Sequence, residues 1–166
     1  PPRGCETIAV RTAAEMNDAM RARVTDSDVV VMVAAVADYR PRRAASAKIK
    51  KSEAALTLEL ERTDDILAGL AGARGRRMLI GFAAETDDLR ANAVKKLACK
   101  GLDLIVANAV GAADRGFDAS MNSALLIDAA GNERESGLVS KDELADRIWD
   151  EAQRLRSSRN RAIREA

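Results

Sequence analysis

Three short apolar runs divide the chain and predict the strands of its core. They cover residues 29–33, 77–83 and 102–107. Runs of this length that are rich in valine, isoleucine and leucine and end at polar residues are typical of strands buried on both faces. Two weaker patterns predict further strands, a short one at 7–10 and one with a solvent-exposed side at 56–61, where leucine alternates with polar residues.

Helical periodicity fills the segments between the strands. Each predicted helix starts at a residue whose side chain can cap its first turn, and these residues are Thr12, Thr63, Thr86 and Ser140. Glu15 and Glu143 complete capping boxes with the first and last of them. Asp64 and Asp65 lie in the first turn of the second helix, where the helix dipole favours acids. Beyond Leu155 the arginine-rich tail, residues 158–166, is expected to fray.

Helices that alternate with buried strands predict an α/β, Rossmann-like three-layer fold with a mostly parallel sheet. Segments 124–127 and 133–139 flank a turn-forming sequence and predict an added antiparallel hairpin. Residues 1–157 are expected to form a single domain, because a chain of 166 residues is of ordinary single-domain size.

Composition narrows the possible functions. With 27 basic and 26 acidic side chains and only 2% aromatic residues, we expect no nucleic-acid partner. The absence of histidine excludes Ser-His-Asp and Cys-His catalysis and nearly every zinc site, so no metal ligands are assigned. Cys5 and Cys99 are far apart in the sequence and form no Cys-x-x-Cys motif, so we interpret them as ordinary thiols of a reducing cytoplasm. No apolar run is long enough to span a membrane, and no signal peptide is visible, so we expect a cytoplasmic protein.

Candidate site residues follow the predicted strands. In an open parallel sheet, ligands bind beyond the carboxyl ends of the strands. The residues found there are Ala34, Ala35, Asp38, Phe82, Glu85 and Asn108, and a lysine-rich loop begins at Lys48. Each also has a structural interpretation, as a turn aspartate, a core phenylalanine or a solvated run of lysines. Since no glycine-rich phosphate-binding motif is present, the residues alone predict only an anionic, nucleotide-like ligand at the strand ends.

Five motifs occur in an order that resembles a known family. Together they are similar to the bacterial, CTP-using phosphopantothenoylcysteine synthetases, also called phosphopantothenate–cysteine ligases, over residues 7–155. The motifs are residues 34–40 (AAVADYR), 48–51 (KIKK), 63–67 (TDDIL), 81–86 (GFAAET) and 100–108 (KGLDLIVAN).

The resemblance implies a role in coenzyme A biosynthesis, where the family joins L-cysteine to 4′-phosphopantothenate through an acyl-cytidylate. It implies Mg²⁺ bound together with CTP and no flavin in this domain. The family forms homodimers, for which residues 124–139 are the candidate contact, and a higher assembly is expected where the domain is fused to a decarboxylase.

The resemblance also implies roles for individual residues. Lys48 matches a catalytic flap lysine that closes on the intermediate and the triphosphate. The positions implied to bind the nucleotide are Ala34, Asp38, Lys48, Asp65, Ile66, Phe82, Lys96 and Lys100. The positions implied to bind 4′-phosphopantothenate are Ala34, Ala35, Asp38 and Asn108. Gly116, Phe117 and Asn122 match a further family segment of unassigned role.

Two departures from the family pattern bear on activity. Thr63 and Asp64 stand where the family usually has Asn-Pro, and the family's glycine-rich first unit, with its asparagine and Ser-Ser-Gly turn, has no counterpart. We therefore expect a truncated synthetase domain that binds nucleotide but turns over weakly or not at all. One alternative is a non-catalytic nucleotide-binding or assembly fragment. Another is a flavin or nicotinamide oxidoreductase, but this chain lacks the glycine fingerprint that such an enzyme would be expected to have.

Overall fold

The computed structural model describes residues 3–43, 45–50, 55–73, 75–109 and 120–165, apart from the side chains of residues 162–164. Its helices are α1 (Ala13–Val24), α2 (Ile66–Ala71), α3 (Leu89–Cys99) and α4 (Lys141–Glu165). Its strands are β1 (Val29–Met32), β2 (Tyr39–Pro41), β3 (Leu60–Arg62), β4 (Met78–Glu85), β5 (Leu104–Ala109), β6 (Met121–Asn122), β7 (Leu125–Asp128), β8 (Glu133–Glu135) and β9 (Val139–Ser140). In this part of the chain no helix is long and apolar enough to cross a membrane.

A five-stranded sheet forms the centre of the fold, in the order β1-β4-β5-β7-β8. The first three strands in this order are parallel, and β7 and β8 continue the sheet as an antiparallel hairpin. Two short antiparallel pairs, β2-β3 and β6-β9, lie outside this sheet. The predicted α/β class, with its mostly parallel strands and added hairpin, is confirmed.

Each face of the sheet carries its own apolar core, which makes the fold three-layered. One core joins the sheet to α1, α2 and α3, and its fully buried members include Leu70, Leu79 and Ala93. The other joins the sheet to α4, where Leu144 and Ile148 pack against Ile80, Leu104 and Val106. Side chains that alternate along β4 and β5 therefore enter opposite cores.

Three predictions about strands are wrong. Residues 7–10 form no strand, and Ile8 and Val10 are exposed. The strand predicted at 56–61 is reduced to β3, and its leucines at 56, 58 and 60 are all exposed, so the alternating pattern has no buried side. Residues 29–33 are not buried on both faces, because Val31 is 41% exposed. The reason is position, since β1 is an outer strand and the α4 core is built on β4, β5 and β7.

Two of the four predicted helix caps are confirmed. The Thr12 hydroxyl accepts a hydrogen bond from the Glu15 N–H at 3.1 Å, and the Ser140 hydroxyl accepts one from the Glu143 N–H at 3.1 Å. Both bonds satisfy a backbone donor that the first turn of a helix leaves without a partner.

The other two caps are wrong. Asp65, not Thr63, caps α2, while the Thr63 hydroxyl donates to the Ala37 carbonyl. Asp88, not Thr86, precedes α3, and it adopts a left-handed backbone with φ of 44°, a conformation that aspartate tolerates better than most residues.

The arginine-rich tail is part of α4, which continues to Glu165. The fraying expected beyond Leu155 stays a prediction. Two ion pairs fix this part of the helix to the loops of the sheet, Arg156 to Asp28 at 2.8 Å and Arg159 to Asp103 at 3.6 Å.

A buried carboxylate fixes the β7-β8 turn. Asp128 is only 2% exposed and accepts hydrogen bonds from the backbone N–H groups of Ala130 and Asn132. Burial raises the pKa of this carboxyl, but the bonds from Asn132 and Ala130 and the Arg154 guanidinium lower it more, so the net pKa is below the ordinary value. Since Arg154 belongs to α4 and lies 3.2 Å from Asp128, the hairpin is tied to the helix.

Candidate functional site

The parallel strands end at different heights, and this leaves space at one edge of the sheet. Residue Met32, the last of β1, pairs with Gly81, whereas β4 and β5 continue together as far as the pairs of Ala84 with Asn108 and Glu85 with Ala109. After Met32 the chain leaves regular structure at residues 33–38. The small residues of this stretch therefore lie beside the exposed ends of β4 and β5.

A first cavity, the apolar pocket, lies on the α4 side of this edge. Its volume is about 430 Å³, within the range of small-molecule sites. Three polar side chains, Asn108, Asn122 and Lys141, stand among aliphatic and aromatic residues. The full lining is Val33, Ala34, Ala35, Phe82, Ala84, Asn108, Asn122, Lys141, Leu144, Ala145 and Ile148.

A second and smaller cavity, the polar pocket, lies on the α2 side, with a volume of about 100 Å³. Three aspartates and one lysine give it its character, and Thr63 holds the loop after β1 through its backbone bond to the Asp38 carbonyl at 2.9 Å. The lining is Met32, Ala34, Val36, Ala37, Asp38, Thr63, Asp64, Asp65, Ile66, Leu67, Phe82 and Lys100.

Ala34 and Phe82 line both cavities, so the two pockets adjoin at the ends of β1 and β4. Gly81 allows α2 to lie this close to β4. A Cβ atom at Gly81 would approach the Leu102 side chain to 2.7 Å and that of Leu67 to 3.0 Å. Because Ala34 and Phe82 belong to both linings, a ligand bound in one pocket would lie close to a ligand bound in the other.

One ion pair organises the polar pocket. The Lys100 ammonium lies 3.0 Å from Asp65 Oδ2, and Asp65 Oδ1 accepts the Ala68 N–H at 3.1 Å. Burial raises the pKa of the Asp65 carboxyl, but the Ala68 and Leu67 backbone bonds and the charge of Lys100 outweigh it, so the pKa falls below the ordinary value. Asp65 is therefore an anion near neutral pH that orients Lys100 at the end of α3.

The predicted nucleotide residues are mostly together. Those found in the polar pocket are Ala34, Asp38, Asp65, Ile66, Phe82 and Lys100. Two are elsewhere. Lys96 lines neither pocket and is 2.6 Å from Glu85 Oε1, and Lys48 is exposed on segment 45–50, outside both linings.

The predicted substrate residues are divided. Ala34, Ala35 and Asn108 line the apolar pocket, but Asp38 lines only the polar one. Gly116 and Phe117 lie outside the described residues, as does Lys51.

Seven residues that line the apolar pocket were not predicted as site residues, and four of them come from the start of α4. They are Val33, Ala84, Asn122, Lys141, Leu144, Ala145 and Ile148. The pairing of Asn122 with Val139 places β6 next to the first turn of that helix. The capping box at Ser140 predicts where α4 begins. No sequence motif near Ser140 predicts that this helix end lies beside the carboxyl ends of the parallel strands.

Known proteins match nearly the whole chain. The family model of the DNA/pantothenate metabolism flavoprotein C-terminal domain matches residues 1–155. The coenzyme A biosynthesis bifunctional protein CoaBC of Bacillus subtilis is 45% identical over 84% of this chain and 35% of its own length. CoaBC of Mycobacterium bovis is 42% identical over 90% of this chain and 38% of its own length. The chain thus spans little more than a third of these relatives.

Solved structures agree with the sequence matches. A crystal structure of the C-terminal domain of the bifunctional protein CoaBC superimposes with a TM-score of 0.77 at 32% identity, covering 95% of this chain and 69% of that one. The DNA/pantothenate metabolism flavoprotein of Streptococcus pneumoniae, at 23% identity and a TM-score of 0.73, supports the fold alone. These matches confirm the resemblance carried by the five motifs. The chain belongs to the family of the DNA/pantothenate metabolism flavoprotein C-terminal domain.

Proposed function

We propose that this chain acts in coenzyme A biosynthesis as the part that ligates L-cysteine to 4′-phosphopantothenate at the expense of CTP. Its relatives are named as bifunctional coenzyme A biosynthesis proteins. The observation that carries the proposal is the shared wall of Ala34 and Phe82 between two pockets of different chemistry. A ligase that activates a carboxylate on a nucleotide needs two such sites side by side.

The polar pocket suits the nucleoside end of CTP. Its aspartates can accept hydrogen bonds from ribose hydroxyls and from the cytosine amino group, while they would repel a triphosphate. Its volume of about 100 Å³ is also too small for a whole nucleotide. The phosphates are therefore proposed to leave this pocket past Lys100, with Lys96 and the exposed Lys48 as further cations.

The apolar pocket suits the pantothenate chain. Aliphatic walls from α4 and β4 accommodate its methyl and methylene groups, while the amides of Asn108 and Asn122 can pair with its own amides and hydroxyl. Ala34 and Ala35 have no side chain beyond Cβ, so the carboxylate can approach the α-phosphate closely. That proximity is itself a large part of catalysis when two substrates react.

The proposed reaction has two steps. A carboxylate oxygen of 4′-phosphopantothenate attacks the α-phosphorus of CTP, and the bond to pyrophosphate breaks. The amine of cysteine then attacks the acyl carbon, CMP leaves with the bonding electrons, and the amine proton passes to solvent. Negative charge accumulates on the oxygen atoms around the α-phosphorus and on the leaving pyrophosphate in the first step, so fixed cations stabilise its transition state. This step needs no histidine, and the chain has none.

Mg²⁺ is proposed to arrive with CTP. Among the described residues no group of three acidic or thiol ligands is placed to hold a metal. The aspartates of the polar pocket fit a magnesium ion that is bound mainly by phosphates and water and takes a single protein carboxylate, such as that of Asp38, as a ligand. When bound, the ion would neutralise the phosphates; flavin has no part in the proposed reaction.

The second candidate is a nucleotide-binding or assembly fragment without turnover. It is favoured by the position of Lys48, which no described contact brings to either pocket. A homodimer through residues 124–139, in the cytoplasm, is part of the leading proposal. Light scattering tests the dimer, and a monomeric mass would contradict it.

Pyrophosphate release tests the two candidates. The ligase predicts release from CTP that requires 4′-phosphopantothenate and is lost in Lys48→Gln, while Lys95→Gln, a change at an exposed lysine that lines neither pocket, retains release. The fragment predicts that CTP raises the melting temperature without any release. If CTP neither stabilises the chain nor releases pyrophosphate, both candidates fail.

A further inference from the structure

A third cavity lies at the opposite end of the sheet, where β1 and β4 begin. Its volume is about 550 Å³. The loop before β1, the residues before β4 and the distal part of α4 enclose it. Its lining is Thr25, Asp26, Ser27, Asp28, Arg76, Arg77, Met78, Arg156, Arg159 and Asn160. We call this cavity the arginine pocket.

Positive charge dominates the arginine pocket. Four guanidinium groups face two carboxylates, those of Asp26 and Asp28, and Met78 is the one apolar residue of the lining. One arginine is engaged by one of these acids, since Arg156 Nη2 lies 2.8 Å from Asp28 Oδ1. A third carboxylate, that of Asp103, lies behind the lining, 3.6 Å from Arg159 Nη1. The local excess is therefore one positive charge.

Arg156 and Arg159 have N–H donors beyond those used in the contacts found for them among the described residues. A guanidinium carries five N–H donors, and the Asp28 contact of Arg156 uses only part of this capacity. Arg159 Nη1 is buried and finds no hydrogen-bond acceptor among the described residues; Asp103 Oδ1 lies 3.6 Å away. A buried N–H group without an acceptor destabilises the folded protein. A ligand whose oxygen atom accepts a hydrogen bond from this group would remove that penalty, which favours binding.

We propose that the arginine pocket is a binding site for a phosphate-type dianion, held by Arg76, Arg156 and Arg159. Guanidinium groups bind phosphate oxygens through paired, charge-assisted hydrogen bonds. The volume is that of a small-molecule site and admits either inorganic phosphate or the phosphate group of a small metabolite. The acids among the arginines disfavour a polynucleotide, whose phosphates would meet Asp26 and Asp28 as well.

This site is separate from the two pockets at the carboxyl ends of the strands, and its occupancy does not depend on the proposed ligase activity. Methionine methyl groups report on each region. Met78 lines the arginine pocket, and Met32 lines the polar pocket. NMR spectra of the full chain with labelled methionine methyls therefore distinguish an anion bound at one end of the sheet from one bound at the other.

The experiment titrates inorganic phosphate, glycerol 3-phosphate and sodium chloride at matched ionic strength. We expect both phosphates, but not chloride, to shift the Met78 methyl saturably in the millimolar range and to leave Met32 in place. Tighter binding of the ester would identify a metabolite as the source, and equal binding would identify free phosphate.

Variants make the test specific. Arg76→Gln and Arg159→Gln are expected to weaken the Met78 response about tenfold, the usual cost of one charge-assisted hydrogen bond. Arg76 is exposed, so its variant leaves the core intact if Arg159→Gln disturbs α4. Arg90→Gln is the matched control, because Arg90 is also exposed but pairs with Glu133 on another surface. Equal loss in Arg90→Gln, a Met78 shift with chloride, or a shift at Met32 alone would overturn the proposal.

Discussion

The polar pocket and the apolar pocket share two residues but have opposite character. Beside Ala34 and Phe82, the first is lined by Asp38, Asp64, Asp65 and Lys100, and the second by side chains of α4 with two asparagines and one lysine. The layers of the fold explain the difference. The polar pocket opens toward α2, whose exposed N-terminus carries acidic residues. The apolar pocket opens toward the apolar face of α4. One edge of a sheet thus offers two binding chemistries in contact.

The shared wall gives the largest expected effect. Ala34→Leu places three more carbon atoms between the pockets, so both CTP and 4′-phosphopantothenate should bind about 100-fold more weakly. Ala34 is exposed, and the melting temperature should therefore change little. Isothermal titration of each ligand checks this, with Ala98→Leu on the exposed surface of α3 as the control. Loss of only one ligand would show that the pockets do not share this wall in solution.

Lys100→Gln is expected to affect one pocket only. Without the ammonium group, Asp65 keeps its charge and repels the phosphates that pass it, so CTP should bind about tenfold more weakly. Binding of 4′-phosphopantothenate should not change. Lys95→Gln, an exposed lysine of α3 that lines neither pocket, is the control in the same titration. A similar loss for both ligands would contradict the assignment of the polar pocket to the nucleotide.

Asn108→Ala is the opposite test, with a smaller effect. Asn108 lines only the apolar pocket, and its amide can make neutral hydrogen bonds, so the variant should weaken 4′-phosphopantothenate about fivefold. CTP affinity, measured on the same sample, serves as the control. Weaker CTP binding with unchanged 4′-phosphopantothenate binding would exchange the roles of the two pockets.

The smallest effect is on stability as a function of pH. Because the pKa of the folded Asp65 carboxyl is below its ordinary value of 3.8, its ionised form stabilises the fold above that value. The stabilisation is lost as the pH falls through the lower, folded pKa. The melting temperature of Asp65→Asn should therefore lie below that of the parent chain at pH 7 and approach it below about pH 4. A constant difference across this range would show that the Asp65 charge is not involved.

The sequence predicts the site correctly where the order of the strands along the chain also determines which residues meet in the fold. Parallel buried strands share one carboxyl edge, so the sequence alone predicts that Ala34, Phe82 and Asn108 lie together. The division of this edge into two pockets was not predictable. It depends on the packing of α4, which is distant in the chain, and on small contacts such as that between Lys100 and Asp65.

Local ambiguity explains the errors in the same region. Thr63, Asp64 and Asp65 are all capable N-caps, and only the bond of Thr63 to Ala37 in the folded chain leaves the role to Asp65. The alternation of Leu56, Leu58 and Leu60 resembles a strand with one buried side. A burial pattern needs a partner surface, and the described residues place none over these leucines.

An activated carboxylate is proposed to form where the two pockets meet. Exchange of radiolabelled pyrophosphate into CTP measures this step directly, because only the reversal of acyl-cytidylate formation returns the label. We predict exchange that requires 4′-phosphopantothenate, needs no cysteine and is abolished in Ala34→Leu but not in Ala98→Leu. Saturated binding of both ligands without exchange would contradict it.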